Sequence, residues 1–366
     1  MIEALLFASL AIGGGAAASV GPTPTAAAEG GSKVARAIAA ASPSPTGILK
    51  YEPSTGGNYV VGGLYALYSL ILFYYVFRRK ERWALCLPIG CFFSAVGFFV
   101  RPSIDPFDVS LGLYIIQSMF VVISPAAFLA FNYLLYGRMI LAVDQDFGRS
   151  TLDVQELESQ PLNTAQKLTM LHKAGGPKRE KSRFSFIPPR IVGRVFVWSD
   201  VITFIVQVGA GGLQASGGSG DAKMAELGDH LFLAGVILQG VSYMLFTLLL
   251  TYATVLVIRE GARNPAAMAH ARTIMGLEAP VFALVAGLYF SSVFVIIRSI
   301  YRIIEFSQGY SGYLVSHEIY LFILDAAPLL LAVGVWVVMW PSTLLEKVFE
   351  KRFSRYGGHY LAKTSS

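Results

Sequence analysis

The sequence predicts an all-α membrane protein, a bundle of seven transmembrane helices, and three observations lead to this fold class. Only 14% of the 366 residues are charged, against about 25% in soluble domains. The mean hydropathy is +0.57, and the charges are grouped between long uncharged stretches. Seven of these stretches approach the roughly 20 residues that a helix needs to cross about 30 Å of hydrocarbon. Such a chain has too few polar side chains to cover itself in water, so lipid must cover much of it.

The first 57 residues are predicted to form an extramembrane tail outside the cytoplasm. A short apolar run, Ala4 to Ile12, is followed by small residues that suit a signal peptidase, but Glu3 precedes the run where a cation would be expected. A cleaved signal peptide and a merely Ala-rich tail therefore both remain open. Residues 22–57 are rich in Ala, Pro, Ser and Gly, so they are expected to have no core of their own.

The seven predicted spans lie between residues 58 and 340. The second is short for a span, whereas the third and fifth are long enough to tilt or to project beyond the bilayer. The connection 137–194 begins acidic, becomes basic and ends at Pro188 and Pro189, and a basic tail, 341–366, follows the last span. The spans are placed near 58–77, 83–100, 109–136, 195–214, 231–258, 280–304 and 319–340.

The orientation follows from the cations, because loops rich in Lys and Arg stay in the cytoplasm. Of the 29 Lys and Arg residues, 22 lie in the connections after spans one, three and five and in the C-terminal tail. The N-terminus is therefore predicted to lie outside and the C-terminus in the cytoplasm. This topology also explains the net charge of +6. A nucleic-acid partner is not expected, since no basic stripe with interleaved aromatics stands on a soluble fold.

Span four carries a line of polar side chains. Thr203 and Gln207 follow Asp200 at offsets of three and seven, which places all three on one helix face. A charged side chain in hydrocarbon costs at least about 2.5–3.5 kcal/mol, and no cation lies in this predicted span, so Asp200 is a candidate for binding a ligand. Gln117 in span three and Gln239 in span five continue the pattern. Interhelical hydrogen bonding worth about 0.6 kcal/mol also explains a single Gln in a span, so both interpretations stay open for the glutamines.

A second polar group, of both signs, lies near the predicted outer ends of spans two, six and seven. It contains three cations and three anions, which can neutralise one another. The sequence therefore predicts a structural charge network there. Asp325, inside span seven, is both the sixth member of this network and a candidate for contacting a ligand. The other five members are Arg101, Arg298, Arg302, Glu305 and Glu318.

Several kinds of catalytic and metal site are missing from the sequence. It has no Gly-x4-Gly-Lys-Ser/Thr loop for a nucleotide and no Gly-x-Ser-x-Gly elbow for a nucleophile. All five histidines fall in loops or at span ends, which argues against an intramembrane zinc hydrolase. Cys86 and Cys91, five residues apart on one predicted helix, cannot form a disulfide with each other. We therefore expect no enzyme, no cofactor and no metal.

One stretch carries a family resemblance. The segment Arg298-Ser-Ile-Tyr-Arg-Ile-Ile-Glu305 is followed by Gly309, Gly312, Glu318, Tyr320 and Asp325. This pattern resembles the signature of the fungal lipid-translocating exporter family, the RTA-like seven-span proteins, and the likeness covers about 51–340. Supporting matches are Tyr51, Pro53, Ser54, Asn58, Gln117, Pro125, Ala126, Tyr133, Asp200, Gln207, Gly209, Gly235 and Gln239.

The resemblance implies export or flipping of an amphiphilic lipid, such as a sphingoid long-chain base, across the plasma membrane, with resistance to toxic amphiphiles. Membrane lipids and an amphiphilic small molecule are then the expected partners. Asp200 and Asp325 would contact an ammonium group, and Gln117, Gln207 and Gln239 would supply neutral hydrogen bonds.

Span two departs from the family pattern, and the substrate stays open for that reason. The family resembles Glu-x-x-Gly-Tyr-x-x-Arg at this point, whereas here the chain reads Ser94-x-x-Gly-Phe-x-x-Arg101. The acidic group and the tyrosine hydroxyl are lost, and porphyrin-type amphiphiles also fit the family. Two further functions suit seven spans equally well. One is a lipid receptor or sensor that signals through its cytoplasmic loop, and the other is a regulator of other lipid transporters.

Overall fold

The structure, a computed structural model, is almost entirely helical. Seven helices of the described part of the chain are long and apolar enough to cross a membrane, which confirms the predicted fold class. The described residues are 53–104, 111–144, 182–217, 222–263, 273–275, 277–308 and 312–348.

The seven spanning helices follow one another along the chain. A short antiparallel hairpin, β1 (Thr273–Ile274) and β2 (Leu277–Glu278), lies between the fifth and the sixth of them, at the predicted cytoplasmic end. A last helix, α8 (341–348), follows the seventh. The seven are α1 (Thr55–Arg79), α2 (Cys86–Val100), α3 (Leu111–Val143), α4 (Pro189–Gly217), α5 (Ala222–Arg263), α6 (Ala279–Ser307) and α7 (Glu318–Val338).

The helix bounds explain the two length anomalies of the sequence. Turns of 3-10 helix at Arg82–Ala84 and Arg101–Ser103 extend α2 at both ends, so that the span reaches 22 residues. The 42 residues of α5 correspond to about 63 Å at 1.5 Å per residue. This is roughly twice the hydrocarbon thickness, so α5 projects beyond the bilayer.

Consecutive helices pack against each other, and α7 returns to contact α1, which closes the bundle. The long helix α3 touches α2, α4, α5 and α6 and so occupies a central position. Aromatic rings fill the space beside it: Tyr133 of α3 packs edge-on against Phe246 of α5 at 4.7 Å between ring centroids, and Phe196 of α4 packs on the same ring at 5.8 Å. Edge-to-face pairs of this kind are favoured by the ring quadrupole.

A buried carboxylate in the connection between α1 and α2 forms hydrogen bonds with residues at the start of the last helix. Lys80, in the left-handed conformation at φ 57°, ends α1, and Glu81 follows with 4% of its surface exposed. Its Oε2 accepts hydrogen bonds from Trp340 Nε1 at 2.9 Å and from Ser342 Oγ at 2.5 Å. Burial raises the pKa of Glu81 above its ordinary value, although these donors and Arg79 oppose the shift.

Candidate functional site

The polar side chains of α4 face the centre of the bundle. Asp200 and Gln207 are each 2% exposed, which agrees with their shared helix face. Thr203 lies between them, but its hydroxyl donates to the Asp200 carbonyl at 2.9 Å and so stays on its own helix. Because the Thr203 hydroxyl is used within α4, the side chains of Asp200 and Gln207 are the polar groups of this face that α4 presents to its neighbours.

Asp200 is surrounded by α3 and α5. The hydroxyl of Tyr133 on α3 lies beside the carboxylate, and Ser242 on α5 lies beside the same hydroxyl. Among the described residues neither carboxylate oxygen has a hydrogen-bond partner of normal geometry, and the Tyr133 hydroxyl is close enough to act on it only as a neutral donor. A buried charge without a partner is costly and uncommon, so this carboxylate requires a functional explanation.

Gln207 lies two turns farther along α4, toward the predicted outer end. Gly235 of α5 lets the two helices approach there, since a Cβ at that position would stand 2.7 Å from Gln207 Cγ. The Gln207 amide nitrogen is also buried with no hydrogen-bond partner in the described part of the chain. Asp200, Gln207 and Tyr133 thus present unsatisfied polar atoms to one region between α3, α4 and α5, which we name the polar seam.

The other two glutamines lie at different depths. Gln239 precedes Tyr243 by one turn of α5 and is half-buried, whereas Gln117 is buried on α3. At 1.5 Å per residue, the latter lies roughly 24 Å from Tyr133 toward the predicted outer end. The structure therefore spreads the three glutamines along the bundle. Gln239 lies closest in level to Asp200, because Ser242 lies beside Tyr133 only three residues farther along α5, whereas Gln207 lies about 10 Å outward along α4.

A hydrogen-bonded layer beside the seam was not found by sequence reasoning. Asn132 Nδ2 donates to Tyr243 Oη at 2.9 Å and to Ser291 Oγ at 3.0 Å. The Tyr243 hydroxyl also pairs with Ser292 of α6 at 3.0 Å. The layer joins α3, α5 and α6, and an Asn inside an apolar block was the signal that could have found it.

The predicted outer charge network assembles around Asp325. Arg302 binds this carboxylate with two nitrogens, at 2.8 and 2.6 Å, and Arg298 approaches it to 2.9 Å. A third nitrogen of Arg302 reaches Glu305 at 3.0 Å, and Tyr301 donates to the other oxygen of Glu305. An ammonium ligand would have to displace two arginines to reach Asp325, so this residue is not open to a ligand in the way that Asp200 is.

The remaining members of the network lie where α7 meets α1 and α2. Arg101 approaches Glu318 to 3.6 Å, and Asn58 Nδ2 and the Ser54 backbone N–H each donate to Glu318 at 2.7 Å. Asp325 lies within a π-helical turn of α7, Leu321–Ala326, which begins three residues after Glu318. Such turns are uncommon and often lie at functional sites.

The described residues contain no group of three His, Cys, Asp or Glu that could hold a metal ion. Cys86 and Cys91 are both free and buried. The polar seam between α3, α4 and α5 is suited to holding a polar head group within the bundle.

Comparison with known families identifies the class of protein. The family model described as RTA1 like protein matches residues 87–154 and 178–348, which is more than half of the chain. The chain belongs to the RTA1-like protein family. This finding confirms the resemblance seen around spans six and seven, and all six charged residues of the outer network lie within the matched residues.

Three relatives from Saccharomyces cerevisiae show the range of the family. Protein RTA1 is 26% identical over 332 residues, which cover 83% of this chain and 88% of that protein. Protoporphyrin uptake protein 1 is 28% identical over 244 residues, covering 67% and 64%. The sphingoid long-chain base transporter RSB1 is 26% identical over 185 residues, covering 44% and 48%. The chain thus spans less than two thirds of two of these relatives, and no solved structure matches it.

Proposed function

We propose that this multi-pass membrane protein exports or flips an amphiphilic lipid with a cationic head group, such as a sphingoid long-chain base, across the plasma membrane. The head group would pass along the polar seam while the hydrocarbon tail stays in lipid. This activity would give resistance to toxic amphiphiles and involves no catalytic step. Its partners are membrane lipids and the amphiphilic substrate.

The observation that carries the proposal is the unpaired Asp200 carboxylate. A polar head group is costly to carry through hydrocarbon for the same reason that Asp200 is costly to bury. An ammonium group at the seam offsets both costs at once, because it supplies the missing partner of the carboxylate. Gln207 then offers a neutral amide about 10 Å farther along the helix.

The relatives support transport but differ in substrate. One is named a sphingoid long-chain base transporter and another a protoporphyrin uptake protein. A porphyrin that bears carboxylates would be repelled by Asp200, whereas a sphingoid base would be attracted. The charge of the seam therefore favours the cationic substrate for this chain.

The test uses liposomes that contain only this protein and a fluorescent sphingoid-base analogue. Wild-type protein should move the analogue between leaflets, and Asp200→Asn, which keeps the shape of the side chain, should slow this at least about tenfold. The reason is that truncating one partner of a buried charged pair costs about 2–5 kcal/mol. The matched control is Asp229→Asn, because Asp229 lies in the same helical hairpin, is partly exposed and accepts a bond from Gln214 at 2.9 Å.

The liposome assay distinguishes transport by this protein from a structural role of Asp200 and from a receptor or regulator function. Normal transport by Asp200→Asn would make Asp200 a structural residue and remove the basis of the proposal. Binding of the analogue without movement in wild-type liposomes would favour a lipid receptor or a regulator of other transporters. A fluorescent N-acylated analogue, which lacks the cation, should be moved more slowly than the free base by wild-type protein.

A further inference from the structure

Two residues at opposite ends of the long cytoplasmic connection meet at the base of the bundle. Asp144 directly follows α3, and Ser182 lies 38 positions later, before α4. The Ser182 hydroxyl donates to Asp144 Oδ2 at 2.5 Å and accepts a bond from the Phe184 backbone N–H at 3.2 Å. Asp144 is 3% exposed and Ser182 is 6% exposed, so both residues are buried where they meet.

The neighbouring arginine extends this contact to α5. Arg183 lies 3.6 Å from Asp144 and 3.5 Å from Glu260, near the end of α5. Farther along, Tyr136 of α3 donates to Ser185, whose hydroxyl donates to the Ile187 carbonyl. Segment 182–187 thus joins the predicted cytoplasmic ends of α3 and α5, and we name this arrangement the latch.

The sequence around Ser182 has the character of a phosphorylation site. Arg179 stands three residues before the serine, Lys181 precedes it and Arg183 follows it. An arginine at that distance before a serine is the pattern that basophilic protein kinases accept. The orientation predicted from the cations also puts the segment in the cytoplasm, where ATP and protein kinases are present.

We propose that Ser182 is a phosphorylation site and that its phosphate holds the latch open. In this step the Ser182 hydroxyl oxygen attacks the γ-phosphorus of ATP on a protein kinase. The new O–P bond forms as the bond to the bridging oxygen of ADP breaks. The hydroxyl proton passes to a base of the kinase, and ADP leaves.

The geometry explains why the phosphate would open the latch. Phosphoserine carries a charge of about −1.5 to −2 and no longer has a hydroxyl proton to donate. Re-closure would place this charge against the buried Asp144 carboxylate, and like charges in a poorly hydrated place repel strongly. The latch is therefore closed when Ser182 is unmodified and open when Ser182 carries a phosphate.

Opening the latch acts on the helices that form the polar seam. Tyr133 lies eleven residues before Asp144 on α3, about 16 Å along the helix axis. Release of segment 182–187 frees the predicted cytoplasmic ends of α3 and α5, two of the three helices that form the polar seam. The modification does not depend on which substrate the seam carries.

The first experiment asks whether Ser182 accepts phosphate. Full-length protein in lipid vesicles is incubated with ATP and the catalytic subunit of a basophilic kinase, and phosphorylated peptides are identified by mass spectrometry. We expect phosphate on Ser182, its loss in Ser182→Ala and its retention in the control Ser185→Ala. Phosphate on Ser185 alone, or on neither serine, would overturn the assignment.

The second experiment asks whether charge at this position opens the latch. Ser182→Glu and Ser182→Gln have side chains of equal size and differ in charge, and the readout is tryptic cleavage after Arg183. Cleavage should be about fivefold or more faster in Ser182→Glu, within the range of coupling between contacting groups, and adding Asp144→Asn should remove most of the difference. Equal cleavage of the two single variants would show that repulsion from Asp144 does not govern the latch.

Discussion

Arg302→Ala should strongly destabilise the protein, because it leaves two buried anions short of a partner. Among the contacts of the described residues, Asp325 would keep its ion pair with Arg298, and Glu305 would keep the hydrogen bond from the Tyr301 hydroxyl. Breaking a buried ion pair by removing one partner costs about 3–5 kcal/mol, since the remaining charge is uncompensated. The loss should appear as reduced thermal stability of the purified protein and reduced delivery to the cell surface.

Adding Glu305→Ala to Arg302→Ala should recover part of this loss. The double variant removes the stranded anion and leaves Arg298 and Asp325 as a neutral pair, 2.9 Å apart. Interaction energies between contacting charged groups are about 0.5–3 kcal/mol, and the recovery should fall in that range. The single variant is therefore expected to be less stable than the double variant.

The protein carries its own probes for this measurement. Cys86 and Cys91 are free and buried in α2, so a thiol-reactive fluorophore reports unfolding as the temperature rises. Arg79→Ala serves as the control, because the Arg79 side chain is 34% exposed in its ion pair with Glu346 and such a pair contributes only about 0–1 kcal/mol. If the double variant loses as much as the two single variants together, Arg302 and Glu305 do not act as a pair.

Three further predictions concern orientation, packing and pH. A tag after Ser366 should be protected in intact cells and one between 216 and 221 should be accessible, as the distribution of cations requires; labelling of the C-terminal tag without permeabilisation would reverse the orientation. Gly235→Ala should destabilise the protein by about 1–3 kcal/mol through overpacking between α4 and α5, whereas Gly209→Ala, with open space at its Cβ position, should cost less in the same thermal assay. Because burial raises the pKa of Glu81 in the folded state, its contribution is fully present below its ordinary pKa of about 4.3 and is lost as the pH rises through the higher folded-state value. Glu81→Gln should therefore gain thermal stability relative to wild type between pH 4 and 8, and parallel curves for the two proteins would contradict this reasoning.

The seven helices could be predicted because the bilayer makes the signal local. A chain inside hydrocarbon must satisfy its backbone hydrogen bonds within each helix, so every span is a continuous apolar block that can be recognised without knowing its neighbours. The helix ends were harder to place. α4 begins at Pro189 rather than near 195, since a proline suits the first position of a helix, and the helix therefore also contains Arg190 and Arg194.

The sequence by itself determined the fold class, the family and the presence of two carboxylates inside apolar spans. At that level both Asp200 and Asp325 are candidates for contacting a ligand, although Asp325 is also a member of the predicted charge network. Only the tertiary structure separated them: packing of α6 against α7 brings two arginines to Asp325, whereas α3 and α5 bring no cation to Asp200 among the described residues. The same holds for Asp144 and Ser182, which meet across 38 positions. Helical periodicity specifies the face on which a side chain lies, but only the packing of the bundle specifies what that face meets.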